Sequence, residues 1–155
     1  MQIMIVGASR GLGRALVDGL LHDGHGVIGV SRQRPADLAT AESAQLQWIA
    51  ADMADPAEAV VRIARAAPAE LDAVIYNLGV WEEKAFSDEY AFLDDSDDAI
   101  VDMVNINITA TILLLKRLVP RLLNSRKAQL ILTGSTSGLR QSGRPEVTFS
   151  ASKFA

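Results

Sequence analysis

Apolar residues along the chain fall into two alternating rhythms. Ile3 to Val6 is a short uninterrupted apolar run that closes on glycine, the pattern of a strand buried on both faces. From Leu12 the apolar positions Leu12, Leu16, Val17, Leu20 and Leu21 recur at helical spacing until "DGHG" stops them. Val27 to Val30 predicts a second strand. Leu46, Trp48 and Ala50 alternate with other residues and predict a third, with a short helix expected in the intervening "RPADLATAESAQ". "DPAEAVVRIARAA" opens on an Asp cap and a proline in the first turn, and places Val60, Val61, Ile63 and Ala64 on one side of a helix. Leu71 to Tyr76 predicts the fourth strand, Ser96 to about Asn124 a long helical region, and Leu130 to Thr133 the fifth strand.

Strands that alternate with helices pair in parallel, because each crossover helix returns the chain to the same edge of the sheet in the same direction. The expectation is therefore a single α/β domain over residues 1–155, a parallel sheet with helices on both faces. Ligands bind such sheets at the carboxyl ends of the strands.

Composition narrows this picture by exclusion. With 49% hydrophobic and 22% charged residues, the chain is built to fold rather than to stay disordered. A net charge of −4 offers no basic surface to nucleic acid or to an anionic membrane. The most apolar later stretch, "ITATILLLKRLVP", is interrupted by Lys116 and Arg117, so no membrane crossing is expected. There is no cysteine, which removes disulfides and thiolate chemistry and fits a reducing, cytoplasmic location.

The candidate chemistry begins at "GASRGLG", Gly7 to Gly13, where the first strand hands over to a helix. Glycines allow a tight turn and close approach of a ligand, and the amides at the helix start attract phosphate. That reading is nucleotide binding. A literal G-x-G-x-x-G at Gly24 to Gly29 precedes a strand instead of following one, and reads as a helix stop. The second strand ends in Ser31 and Arg32, where an acidic residue would bind a plain ribose; with Arg10 in the glycine turn, two guanidinium groups favour a phosphorylated ribose. "FLDDSDDAIVD" lacks the glycine and terminal glutamate of a calcium loop and reads as a helix cap with an acidic first turn, so no metal is expected. His22 and His25 flank a turn and read as surface residues. "SASK", Ser150 to Lys153, matches the S-x-x-K of penicillin-recognising enzymes without its companion motifs.

Taken in order, "GASRGLG", "AADMAD", "YNLG", "NITATILLLKRLVP" and "LTGSTSG" followed by "FSASK" resemble the short-chain dehydrogenase/reductase family along essentially the whole chain. The resemblance implies a Rossmann-like doubly wound parallel sheet and a nicotinamide dinucleotide, with NADP(H) preferred over NAD(H) through Arg32. It implies that Gly7, Gly11, Leu12 and Gly13 cradle the pyrophosphate, with Ser9, Arg10, Ser31 and Arg32 near the adenosine ribose. Asp52 and Met53 match the pair that contacts adenine, and Asn77 with Gly79 the N-x-A-G segment after the fourth strand, from which Tyr76 and Leu78 depart. Asn107 is implied as the helix asparagine that holds a water in a proton relay, with Asn105 as the alternative. Ser135 would hydrogen-bond the substrate oxygen, and Lys153 would grip the nicotinamide ribose.

The family's acid-base tyrosine belongs at position 149, and here it is Phe149. A phenol held beside a lysine passes a proton to or from the alcohol oxygen as hydride moves; phenylalanine has none to pass. The family also continues through a further helix, strand and substrate-binding lid, which the resemblance places beyond Ala155 and without which the edge of the fifth strand stays open. Two expectations follow. One is an NADP(H)-linked oxidoreductase of a carbonyl or secondary alcohol; the alternative is a catalytically impaired NADP(H)-binding paralogue or regulator. In either case the apolar helix around 106–123 is expected to pair copies into a homo-oligomer.

Overall fold

The structure, a computed structural model, describes residues 1–39, 44–139 and 145–155. Five strands, β1 (Gln2–Val6), β2 (Gly26–Ser31), β3 (Leu46–Ala50), β4 (Ala73–Tyr76) and β5 (Gln129–Leu132), form one sheet in the order β3-β2-β1-β4-β5. All neighbours are parallel. Ile3 lies opposite both Val27 and Ala73, so β1 sits at the centre. The chain order reverses direction beside β1, which opens a crevice at the carboxyl ends of β1 and β4. The expected doubly wound parallel fold is present.

Alternation along β1 feeds two cores. Met4 and Val6 face α3 (Pro56–Ala66) and α5 (Ala110–Leu122), in a core closed by Ile63, Leu114 and Leu118. Ile3 and Ile5 face α1 (Gly11–His22) and α2 (Ala36–Ala39), meeting Val17 and Leu38. Burying each such side chain contributes about 1.5–3 kcal/mol, which is why the central strand is apolar on both faces. The helix expected between β2 and β3, within residues 34–45, is seen as the four-residue α2; Arg34 and Pro35 before it are not helical, Ala44 and Gln45 form a turn, and residues 40–43 lie outside the described residues.

Two local expectations are corrected, and a third is met. In β3 the residue between the predicted alternating positions, Ile49, is buried, while Ala50 is exposed. Both faces of β3 meet a core, so a two-residue period does not mark its inside. In α3 the buried stripe is Ala59, Val60 and Ile63; Val61 faces out, one residue off the 3.6 period. The misplaced G-x-G-x-x-G is structural throughout: Gly24 ends α1 at φ +78, and a Cβ on Gly29 would come within 2.4 Å of the Trp48 ring.

Local chemistry sets the helix ends. Asp55 accepts from the Glu58 amide at 3.1 Å with Pro56 in the first turn, and Ser96 accepts from the Ala99 amide at 3.2 Å with Asp97 and Asp98 behind it. The acidic run is thus the start of α4 (Asp97–Val104). A π-helical turn, Asn105–Thr109, joins α4 to α5. Together they form a continuous helix of 26 residues, Asp97–Leu122, long and apolar enough by length and composition to cross a membrane, despite Lys116 and Arg117. Leu114, Leu118 and Leu122 pack on the sheet, whereas Val101, Ile112 and Leu113 are exposed. Arg121 near its end donates to the carbonyls of Ala64, Ala67 and Pro68, closing α3. Among the described residues β5 pairs with β4 alone, and its Leu130, Ile131 and Leu132 are all exposed.

Candidate active site

The crevice begins at the β1–α1 turn. Gly7 (φ +87) and Gly11 (φ +55) hold left-handed conformations that favour glycine, and no atom stands within 4 Å of where a Cβ on Gly11 would lie. Gly13 is a packing position: its Cβ would fall 2.0 Å from the Gly7 carbonyl oxygen, so only glycine lets α1 approach β1. Arg10 occupies the cap position of α1 but makes no capping hydrogen bond, and the first turn holds no acid. The opening amides of α1 therefore face outward without a side-chain acceptor, under the positive end of the helix dipole. An anion fits there.

The residues around that turn divide into available and occupied groups. Arg10 and Arg32 are exposed and form no ion pair with a described residue. Ser31 Oγ donates to the Gln33 carbonyl at 2.7 Å. Asp52 is exposed, its Oδ1 accepting from the Ala54 amide, whereas the Met53 side chain is sunk in the core, leaving only its backbone at the crevice. Asn77 donates its backbone N–H to Val6 and accepts from Thr133 Oγ1 at 2.9 Å, tying the ends of β1, β4 and β5 together.

Further along, Asn107 in the π turn works as a clamp. Its Oδ1 accepts from the Val80 amide at 2.9 Å, and its Nδ2 donates to the Val80 carbonyl at 2.8 Å and to Ser152 Oγ at 2.9 Å. Ser152 in turn donates to the Phe149 carbonyl. The loop after β4, the long helix and α6 (Val147–Phe154) are thereby joined through one buried amide. Ser135 caps the 3-10 turn Thr136–Gly138 by accepting from the Ser137 amide at 3.2 Å, which leaves its hydroxyl proton free to donate. That turn packs on α6.

Lys153 and Phe149 share a face of α6, with Nζ 5.8 Å from the ring centroid. Nζ also occupies the space that a side chain on Gly79 would take, 2.9 Å from its Cβ position. Partial burial holds this ammonium below the ordinary lysine range. Phe149 is buried, and its ring stands edge-on to Phe86 at 5.7 Å and to Trp81 at 6.4 Å. Its amide donates to Glu82 Oε1 at 2.9 Å, a cap supplied from 67 residues away. Neither tyrosine replaces a phenol at position 149. Tyr76 is buried at the end of β4 with its hydroxyl toward the Ile106 carbonyl, and Tyr90 donates to Asp95 at 2.6 Å; burial raises both above the usual phenol range.

Comparison with known proteins agrees with this geometry. Residues 1–155 match the short chain dehydrogenase family. The chain belongs to that family. It is 33% identical over 149 residues to a cis-2,3-dihydrobiphenyl-2,3-diol dehydrogenase of Paraburkholderia xenovorans, covering 91% of this chain and 52% of that protein. To the 3-oxoacyl-[acyl-carrier-protein] reductase of Salmonella typhimurium it is 27% identical, covering 87% of this chain and 54% of the relative. A solved short chain dehydrogenase from Salmonella enterica serovar Typhi superposes with a TM-score of 0.79 at 27% identity, over 99% of this chain and 65% of that one. The chain spans about half the length of the curated relatives it matches.

As a family member, the chain brings its predicted residues to one end of the sheet. Gly7, Gly11 and Gly13 lie together at the β1–α1 turn, Ser135 follows β5, and the Gly79 Cβ position lies 2.9 Å from Lys153 Nζ and 3.9 Å from Asn107 Oδ1. Ser9 and Leu12 flank the cradle, Leu12 exposed. Asn105 starts the π turn and is not part of the clamp. Sequence reasoning missed Glu82, Trp81, Phe86 and Ser152. No spacing rule joins Glu82 to the start of α6; the one available signal was a helix beginning at Val147 with no capping side chain of its own.

Proposed function

We propose that this chain carries the cofactor and catalytic elements of an NADP(H)-linked oxidoreductase acting on a carbonyl or secondary alcohol. The observation that carries the reading is the start of α1, with no acid in its first turn, an open space at Gly11, and Arg10 and Arg32 ion-paired with no described residue. The donor set suits a diphosphate at the amides and a phosphorylated ribose at the guanidiniums, where an acid would repel the extra charge. When bound, the dinucleotide supplies or accepts hydride. Ser135 would hydrogen-bond the substrate oxygen through its hydroxyl, Lys153 would bind the ribose nearest the reacting ring, and Asn107 holds α6 so that both stay in register.

Proton delivery is the weak point of this chemistry. Phe149 stands at the position the family resemblance gives to tyrosine, and loss of a general acid-base costs about 10²–10⁴ in rate. A second reading, an NADP(H)-binding protein with impaired catalysis, is favoured by the Phe149 ring being packed between Trp81 and Phe86. NADPH oxidation measured over a panel of aldehydes and ketones, for the wild type and Phe149→Tyr, separates the two. Slow turnover that rises in the variant supports the first; none by either, with NADPH bound, leaves the second. The exposed apolar face of the long helix suits pairing with a second copy, and sedimentation over a range of concentrations tests it, a strict monomer being the adverse result.

A further inference from the structure

We propose that Arg14 sets the preference for a phosphorylated ribose by acting on Asp37: its guanidinium holds and neutralises the one carboxylate of the segment after β2, which would otherwise repel the added phosphate. Arg14 is thus a positioning residue, and its role deepens the NADP(H) reading above and rests on it. Residues 32–39, "RQRPADLA", carry two arginines and a single acid, Asp37. An acid at the end of β2 suits a plain ribose, and Arg32 stands there instead. An acid slightly further on works against the same phosphate unless its charge is cancelled.

The fold returns that acid to α1. Leu38 is buried in the core that Val17 joins, and Asp37 beside it meets Arg14 in a fork, Nη1 donating to Oδ1 at 3.1 Å and Nη2 to Oδ2 at 2.7 Å. Two parallel charge-assisted bonds fix the carboxylate in place as well as offsetting its charge. The Arg14 amide donates to the Arg10 carbonyl at 3.2 Å, so the pair stands one helical turn from Arg10 and from the first amides of α1. Left unpaired there, Asp37 would add negative charge beside the proposed anion site.

Charge, more than tethering, is what the bridge controls. α2 is anchored independently, by Leu38 in the core and by the Leu38 amide donating to the Pro35 carbonyl. The bond to Arg14 is the first cause holding the Asp37 carboxyl below its usual range, so this exposed group is ionised at pH 7. Arg14 is engaged by acids throughout, its Nε donating to both oxygens of Asp18 at 3.0 Å, whereas Arg10 and Arg32 are ion-paired with no described residue. Asp18 itself lies about 12 Å along the helix from Arg10, where physiological salt screens it.

The test is calorimetric titration with NADPH and with NADH at pH 7 and low salt, for the wild type, Arg14→Gln, Asp37→Asn and the double variant Arg14→Gln/Asp37→Asn. Glutamine keeps a hydrogen-bond donor for Asp37 but leaves its charge uncancelled. The preference for NADPH over NADH should fall at least about threefold in Arg14→Gln, be kept or raised in Asp37→Asn, and return to within about twofold of the wild type in the double variant. A preference unchanged in Arg14→Gln overturns the role, and so does one that the double variant fails to restore, which would mark the pair as a tether only. A fall in Asp37→Asn also overturns it, and that variant alone decides the matter should Arg14→Gln fail to fold. A wild type that binds NADPH no better than NADH overturns the NADP(H) reading and the role of Arg14 with it, whereas a wild-type preference with the wrong pattern among the variants overturns the role alone.

Discussion

At position 149 a hydroxyl is all that separates the observed side chain from a proton donor, and its ring already sits one helical turn from Lys153. Phe149→Tyr should therefore raise NADPH-linked turnover by about 10²–10⁴ if the ring keeps its place, read by initial rates on the best carbonyl of a panel. Gly79 permits a cleaner dissection. The one close approach an alanine makes there is to the flexible end of Lys153, with Asn107 Oδ1 at an ordinary 3.9 Å, and its backbone is not left-handed, so Gly79→Ala should leave stability unchanged or raise it by about 0.4–1 kcal/mol while weakening dinucleotide binding by displacing Nζ. Urea melts and a dinucleotide titration of the same variant check both halves. Gly13→Ala is the contrast: its Cβ strikes backbone, and a loss of at least about 1–3 kcal/mol is expected in the same melts.

Between elements, the joints are side chains from distant parts of the sequence. Asn107→Ala would orphan the Val80 amide and carbonyl and break the link to Ser152, costing at least about 1–3 kcal/mol in a denaturant melt and loosening α6. Asp72 joins the start of β1 to the segment after α5, accepting from the Gln2 amide at 2.7 Å and from Ser125 Oγ at 2.5 Å; these bonds, Ser125 first, hold its carboxyl below the usual range. The folded state thus binds its proton less readily than the unfolded chain, whose aspartates titrate near about 3.9. Its contribution is present above that value and disappears as pH falls through the lower folded one. Melting temperatures measured down the acid range should fall less steeply for Asp72→Asn than for the wild type. Such joints explain what the sequence concealed: caps at Asp55 and Ser96 are local and were legible, whereas Glu82 reaching α6 and Asn107 reaching Val80 depend on the folded path of the chain.

For the molecule as a whole, the order of strands and helices was readable because each buried element must be apolar at its own period, and the crossover rule then leaves few topologies. The glycine cradle was legible for a similar reason, since backbone geometry there admits no other residue at Gly13. What stayed hidden was the surface: Val61 turned outward, and the acidic wall beside Trp81 assembled from segments that look like ordinary solvated loop. The central claim remains that the first turn of α1 and its two arginines take a phosphorylated dinucleotide. Calorimetric titration with NADPH and NADH tests it most directly, with an Arg32→Ala variant alongside. The account predicts NADPH bound at least about tenfold more tightly than NADH, with the difference lost in the variant; binding of neither dinucleotide, or a preference for NADH, would contradict it.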